Sequence, residues 1–175
     1  MAMSLSMYQA SVPVFGQILA ALGGVLDKAE AHAATKKIDP AVLIGARLAP
    51  DMFPLSRQIQ IACDFAKGAT ARLAGTEPPS WTDEEKAFAD FKARLRKTAD
   101  YIQEFKPAQI DGSEGREITL KVGPNMRTFK GQSYLLQFVM PNFLFHSTTA
   151  YAILRHNGVE LGKRDFMGQV PGMNG

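Results

Sequence analysis

Between Leu135 and His156 the chain reads LLQFVMPNFLFHSTTAYAILRH, its most apolar long stretch, and few folds can accommodate it. Read as a helix, this stretch places Leu135, Phe138, Asn142, Phe145, Thr149, Ala152 and His156 on one face. Leu136, Val139, Phe143, Leu144, Tyr151 and Leu154 fill the others. A helix apolar nearly all round belongs in the middle of a helical bundle. Pro141, Asn142, His146 and Arg155 interrupt the stretch too much for a membrane span. Pro141 lacks an amide hydrogen and clashes with the carbonyl four residues back. The helix therefore either kinks at Pro141 or begins its main part there.

Asn142 and His146 are four residues apart and so sit one turn above each other. Burying an amide and an imidazole costs roughly a few kcal/mol unless each finds a partner. The pair is then either a satisfied core hydrogen-bond pair or part of a ligand or metal site.

A chain of 175 residues suits one domain, residues 1–175, with a proper core. The net charge of +3 is spread over mixed signs. The densest basic groups, Lys36-Lys37 and Arg94, Arg96 and Lys97, read as solvated faces, so no nucleic-acid partner is expected. A lone cysteine, Cys63, excludes an internal disulfide and fits a reducing compartment. Its apolar helical setting marks it as an inert core thiol. Val14 to Leu26 is apolar but short and broken by glycine, and no basic residue precedes Lys28. Neither a signal peptide nor a membrane span is expected there, and the expected location is the cytoplasm.

Helical spacing of Met7, Val14, Ile18, Ala21, Val25 and Ala29 predicts a first helix from Ser4 to about Ala34, with His32 exposed. Asp39-Pro40 is a start signal for a helix to about Leu48. Asp51 is placed to cap a second long helix ending near Ala74, with Gly75 as its stop. Met52, Leu55, Ile59, Ala62, Ala66, Ala69 and Leu73 form its apolar seam, bordered by Asp51 and Gln58. Thr82 and Glu85 read as a capping box for a third helix that buries Phe88, Phe91, Leu95, Thr98 and Ile102 and ends before Pro107. Trp81 before that cap reads as a hydrophobic staple. Ile118, Leu120 and Val122 alternate with polar residues, and Gly123-Pro124-Asn125 makes a turn, so a small β-hairpin precedes the last helix. Asn157-Gly158 closes that helix, Lys163, Arg164 and Asp165 are available to pair with one another or to reach back to the bundle, and residues 171–175 read as a poorly ordered tail.

The chain has no P-loop, no dinucleotide-binding glycine pattern, no Cys-x-x-Cys and no nucleophile elbow. Three histidines and one cysteine are too few for a closed structural zinc site. What remains is a set of polar residues pointing into a helical core. Helical bundles build metal sites from such inward groups, and an open site with three protein ligands activates a bound water.

The stretches LAPDMFPLSRQIQ and PNFLFHSTTAYAILRHNGVELGK, with the hairpin between them, resemble an uncharacterised bacterial family of the DinB/YfiT-like superfamily. The resemblance runs from Met3 to about Gly168. It implies an all-α, up-and-down four-helix bundle with a small β-hairpin before the last helix, often homodimeric. Many members of the superfamily hold a divalent metal on three histidines, one on the second helix and two spaced by four on the last. Its characterised members include metal-dependent thiol transferases and a thiol-dependent isomerase. This chain departs from that pattern, because Asn142 replaces one histidine of the last-helix pair and the second helix has none. The metal set that the resemblance implies is Asp51, Asn142 and His146. A carboxylate, an amide oxygen and an imidazole suit Mg²⁺ or Mn²⁺ as well as Ni²⁺ or Zn²⁺. The corresponding ligand-binding set is Gln58, Asn142 and His146. The leading expectation is a polar patch that binds a small ligand or is structural. The alternatives are a metal-dependent transferase or hydrolase, with Tyr151 as a candidate acid, and a dimeric interaction protein built on an apolar helix face.

Overall fold

The computed structural model describes residues 5–173, and it is mostly helical with one two-stranded antiparallel hairpin. Four long helices carry the body: α1 (Val12–Lys36), α3 (Leu55–Leu73), α4 (Phe88–Gln103) and α7 (Met140–His156). Shorter segments join them: α2 (Pro40–Ile44), α5 (Pro107–Ile110), strands β1 (Glu117–Val122) and β2 (Asn125–Lys130), α6 (Gly131–Ser133), and α8 (Lys163–Met167) after the last long helix. α1 packs on α4, α4 on α3, and α3 on α7, while α8 returns to α1. The core between them is continuous and apolar, centred on Phe15, Leu19, Leu22, Leu26, Ile59 and Phe143.

The first helix begins at Val12, later than its apolar spacing predicts; Pro13 takes the first turn, where a missing amide hydrogen costs nothing. Ser4, the predicted start, lies outside the described residues, as do Asn174 and Gly175 of the predicted tail. With 25 residues α1 does reach the length and apolarity of a membrane-crossing helix. Its apolarity is accounted for by packing, since Phe15, Leu19, Leu22, Leu26 and Ala29 are buried in the core. His32, expected to be exposed, is half-buried against the loop at Gly158.

Two predicted helix starts are not where the capping patterns place them. Asp39 does cap α2, accepting from the amide of Ala41 at 2.9 Å. Asp51, however, lies in an exposed turn, and α3 starts four residues later behind Pro54, which has no capping side chain. Likewise Thr82 does not cap α4. That helix starts at Phe88, and Asp90 accepts from the amides of Lys86 and Ala87 at 3.0 and 2.9 Å. Residues 77–86 have no helix or strand, because Glu85 is drawn away to Arg94 and Gln60. A capping pattern holds only where tertiary partners do not outbid it. α2 also stops early, at Ile44 rather than Leu48.

The hairpin is as predicted, with Ile118 opposite Phe129 and Leu120 opposite Arg127. Ile118 is buried against the bundle. Gly131 follows at once, and a Cβ there would overlap the carbonyl of Ser113, so only glycine permits this approach. The helix that follows starts with a π-turn, Tyr134–Val139, and continues without a break into α7, with Pro141 in the first turn. The buried stripe is Leu135, Val139, Phe143, Ser147, Ala150 and Leu154; of the face formed by Leu135, Phe138, Asn142, Phe145, Thr149, Ala152 and His156, Leu135 and Thr149 alone are buried. The segment is therefore not buried all round, contrary to the expectation: Leu136 in the π-turn and Leu144 and Phe145 on α7 face outward, Phe145 at 55% exposure.

Asn157 and Gly158 end α7 as predicted, Gly158 with φ of 89°. Asp165 pairs with Lys28 of α1 at 2.7 Å rather than with its own neighbours, and accepts from the Gly162 amide at 2.8 Å.

Candidate functional site

The seam between α3 and α7 holds one polar pair. Gln58 sits in the first turns of α3 and is 2% exposed. Its amide nitrogen donates to the carbonyl of Phe53 at 3.1 Å. Its amide oxygen lies 2.7 Å from Nδ1 of His146 on α7. The reverse amide orientation would set the glutamine oxygen against the Phe53 carbonyl, two acceptors with no proton between them. Gln58 is thus fixed with its oxygen toward the imidazole. His146 must then carry its proton on Nδ1, and Nε2 keeps a free lone pair. Nε2 makes no hydrogen bond among the described residues.

The imidazole is half-buried between aromatic rings. Phe65 stacks on it with centroids 6.0 Å apart, and Phe145 meets it edge-on at 5.2 Å. Burial disfavours the imidazolium, and the positive charge of Arg57 adds to that, so the pKa of His146 falls below its ordinary 6.5. At neutral pH the group is an uncharged imidazole held in one tautomer. Such a group accepts a hydrogen bond, takes a proton, or donates a lone pair to a metal.

The backbone irregularity lies next to this pair. The π-turn ends at Val139, and Asn142 donates from its side chain to the carbonyl of Phe138 at 2.7 Å. Phe138 is in edge contact with Phe65, the ring that stacks on His146. Insertions of this kind in a helix cluster at functional sites.

The predicted residues are therefore divided. His146 and Gln58 are brought together. Asn142 lies one turn away, half-buried, its amide nitrogen spent on its own helix. Asp51 lies on the exposed turn before α3. Tyr151 points to the Leu161 carbonyl, 3.4 Å away. Of the implied metal set, Asp51 is exposed in that turn and Asn142 bonds to its own helix, and no group of three or more His, Cys, Asp or Glu side chains gathers among the described residues. Phe65, Arg57 and the carbonyl of Phe53 were not legible as site residues. Phe65 lies outside the apolar seam of α3, and a main-chain acceptor leaves no trace in side-chain pattern.

Fold and site together place the molecule among DinB-like helical proteins. A solved structure described as a DinB family member protein from Shewanella denitrificans matches with a TM-score of 0.86 and 38% sequence identity, over 96% of this chain and 95% of that one. The model of a domain of unknown function, DUF1993, matches residues 7–167, and the chain belongs to that family. No curated protein matches. The resemblance carried by LAPDMFPLSRQIQ and PNFLFHSTTAYAILRHNGVELGK is thereby confirmed.

Proposed function

We propose that α1, α3, α4 and α7 form an up-and-down four-helix bundle whose α3–α7 seam binds a small ligand through Nε2 of His146. The observation that carries this reading is the double anchoring of Gln58, which fixes the tautomer and leaves one unspent acceptor at a half-open aromatic surface. A purely structural pair gains nothing from a free nitrogen. A ligand with an N–H or O–H donor and an aromatic or apolar body matches the acceptor and the rings of Phe65 and Phe145. A cytoplasmic location goes with this reading.

Nitrogen-15 NMR of the imidazole tests it. The expected spectrum at neutral pH shows a protonated Nδ1 and an unprotonated Nε2. Phenol- and azole-sized fragments that raise the melting temperature shift Nε2, and His146→Ala abolishes both effects. If no fragment distinguishes wild type from His146→Ala at millimolar concentration, the ligand reading fails. If Zn²⁺, Ni²⁺ or Mn²⁺ binds at one equivalent by elemental mass spectrometry and is lost in the variant, the metal-dependent transferase or hydrolase takes its place.

A second reading rests on a separate observation. Leu136 in the π-turn, Leu144 and Phe145 on α7 and Phe53 before α3 are large and exposed. Apolar side chains grouped near one seam are the usual mark of an association surface, and a second copy of the chain is the occupant proposed. Light scattering that gives a monomer at micromolar concentration removes this reading.

A further inference from the structure

The other side of α3 is built from charge. Residues 77–86 cross α3 and α4 as a strap without helix or strand. Every strong contact of the strap is polar or cationic. The indole of Trp81 has Nζ of Lys67 and Nζ of Lys97 each 4.3 Å from its ring centroid. The carbonyl of Thr82 accepts from Arg94 at 3.1 Å. Asp83 pairs with Arg57, and with Arg94 at 2.9 Å. Glu85 pairs with Arg94 at 2.7 Å and accepts from Gln60 at 2.9 Å. The aromatic contribution is the edge contact of Trp81 with Tyr101 at 5.9 Å.

Beneath the strap lies a polar layer that the helices by themselves do not close. Arg94 is 3% exposed at its side chain, and its Nε has no partner. Cys63 and Thr98 beside it are fully buried. Burial pushes the thiol up to about 11, and the Thr98 hydroxyl donates to the Arg94 carbonyl at 2.8 Å. The apolar contacts that hold α1, α3, α4 and α7 together do not include this strap.

We propose that residues 77–86 form a charge-held latch that opens as a unit while the helices stay folded, uncovering the Arg94–Cys63 layer between α3 and α4. The Arg57–Asp83 pair, with both side chains more than one-third exposed, is screened by salt, while the buried Arg94–Glu85 pair is screened much less and apolar burial is not weakened in that way. A segment held by such contacts opens at lower free energy than the core it covers. Asp83 is the most labile part of the latch, being more than one-third exposed, and Arg94 is the hub, touching the strap at three residues.

Cys63, the chain's one cysteine, reports the opening. The full chain is treated with an aromatic disulfide reagent under native conditions, and the thiol rate is compared with the global unfolding constant from urea titration. Wild type is measured at low and at high sodium chloride, beside an Asp83→Asn, Glu85→Gln double variant. Expected is a thiol rate that rises about tenfold or more with salt and in the variant, beyond any rise in global unfolding. Hydrogen exchange should speed up in residues 77–86 and not in α1 or α7. A thiol rate that follows the global unfolding constant under every condition overturns the latch. Should the double variant fail to fold, the salt series on wild type decides alone.

Discussion

α3 carries a polar inclusion on each side, and the two are built on opposite plans. Toward α7 it offers one neutral amide, Gln58, to one neutral imidazole, His146, inside a wall of aromatic rings. Toward α4 it offers Gln60, Asp64 and Lys67 to Arg94 and the strap, a network of full charges. In the charged network each terminal guanidinium nitrogen of Arg94 has at least one carboxylate. In the neutral pair one ring nitrogen is left over. A charge cannot be buried at tolerable cost without partners, so a charged inclusion gathers counter-charges and becomes structural. A neutral imidazole can be half-buried with one valence free, which is what a binding site needs. On the proposed readings, ligand chemistry falls to the α7 side and mechanical closure to the α4 side.

The largest effect that would test this division is expected at Arg94. Arg94→Met removes the hub while keeping most of its volume, and leaves Glu85 without its guanidinium. Because Asp64 and Asp83 are partly exposed and can rehydrate, the loss should be about 3 kcal/mol, at the low end for a broken buried pair. Urea denaturation measures it. A change under about 1 kcal/mol would show that the network does not hold this side of the molecule together.

Gln58→Leu should cost about 1–2 kcal/mol, since it strips a hydrogen bond from both His146 and the Phe53 carbonyl. The more telling readout is spectroscopic, because the imidazole should then show a mixture of tautomers. An unchanged Nδ1–H tautomer would mean that something other than Gln58 sets it.

The two sides should also come apart in different pH ranges. The folded pKa of His146 is depressed, so between that value and 6.5 the unfolded chain binds more protons than the folded one. The stability it contributes is intact above about 6.5, is lost as pH falls through that window, and levels off below the folded value. Glu85 is raised by its burial but lowered more by hydrogen bonds from Arg94 and Gln60, ending below its ordinary 4.5. Its contribution is present above that value and disappears only in more acidic solution. Denaturation series from pH 8 to 3 should therefore show two separate slopes, the first missing in His146→Ala and the second reduced in Glu85→Gln, where the depressed carboxyls of Asp90, Glu117 and Asp165 still contribute. One merged slope that both variants affect alike would contradict independent inclusions.

The smallest effects are expected where the capping patterns fail. Thr82→Ala and Asp51→Ala should each change stability by no more than about 0.5 kcal/mol, because neither side chain caps a helix. A loss near 1 kcal/mol at either position, read from the same urea titrations, would restore the cap.

Much of this was legible in the chain before folding was considered. Apolar periodicity located the four long helices, because any soluble helix must bury one stripe. Strand alternation around Gly123 located the hairpin. Asp39-Pro40 and Asn157-Gly158 marked boundaries correctly, since each is satisfied by its own backbone. His146 and Gln58 stood out as polar residues on apolar ground, although their pairing across 88 positions did not. The failures have a common origin. Thr82, Glu85 and Asp51 carry local signals that long-range partners or neighbouring turns override. Burial all round α7 fails at Leu144 and Phe145, which are exposed, because apolar content along the chain does not show on which sides a neighbour packs.

The sequence by itself determined a helical protein with one hairpin, a lone buried thiol and a histidine set among apolar neighbours, because these depend on composition and on spacings within a few residues. Only the tertiary structure decided which face of α7 is core, which tautomer His146 adopts, and that the Trp81–Glu85 segment is a strap rather than a helix start. Each of those depends on a partner tens of residues away in sequence. The free energy that settles them is exchanged across space, between a glutamine and a histidine or a guanidinium and its carboxylates, and not along the chain.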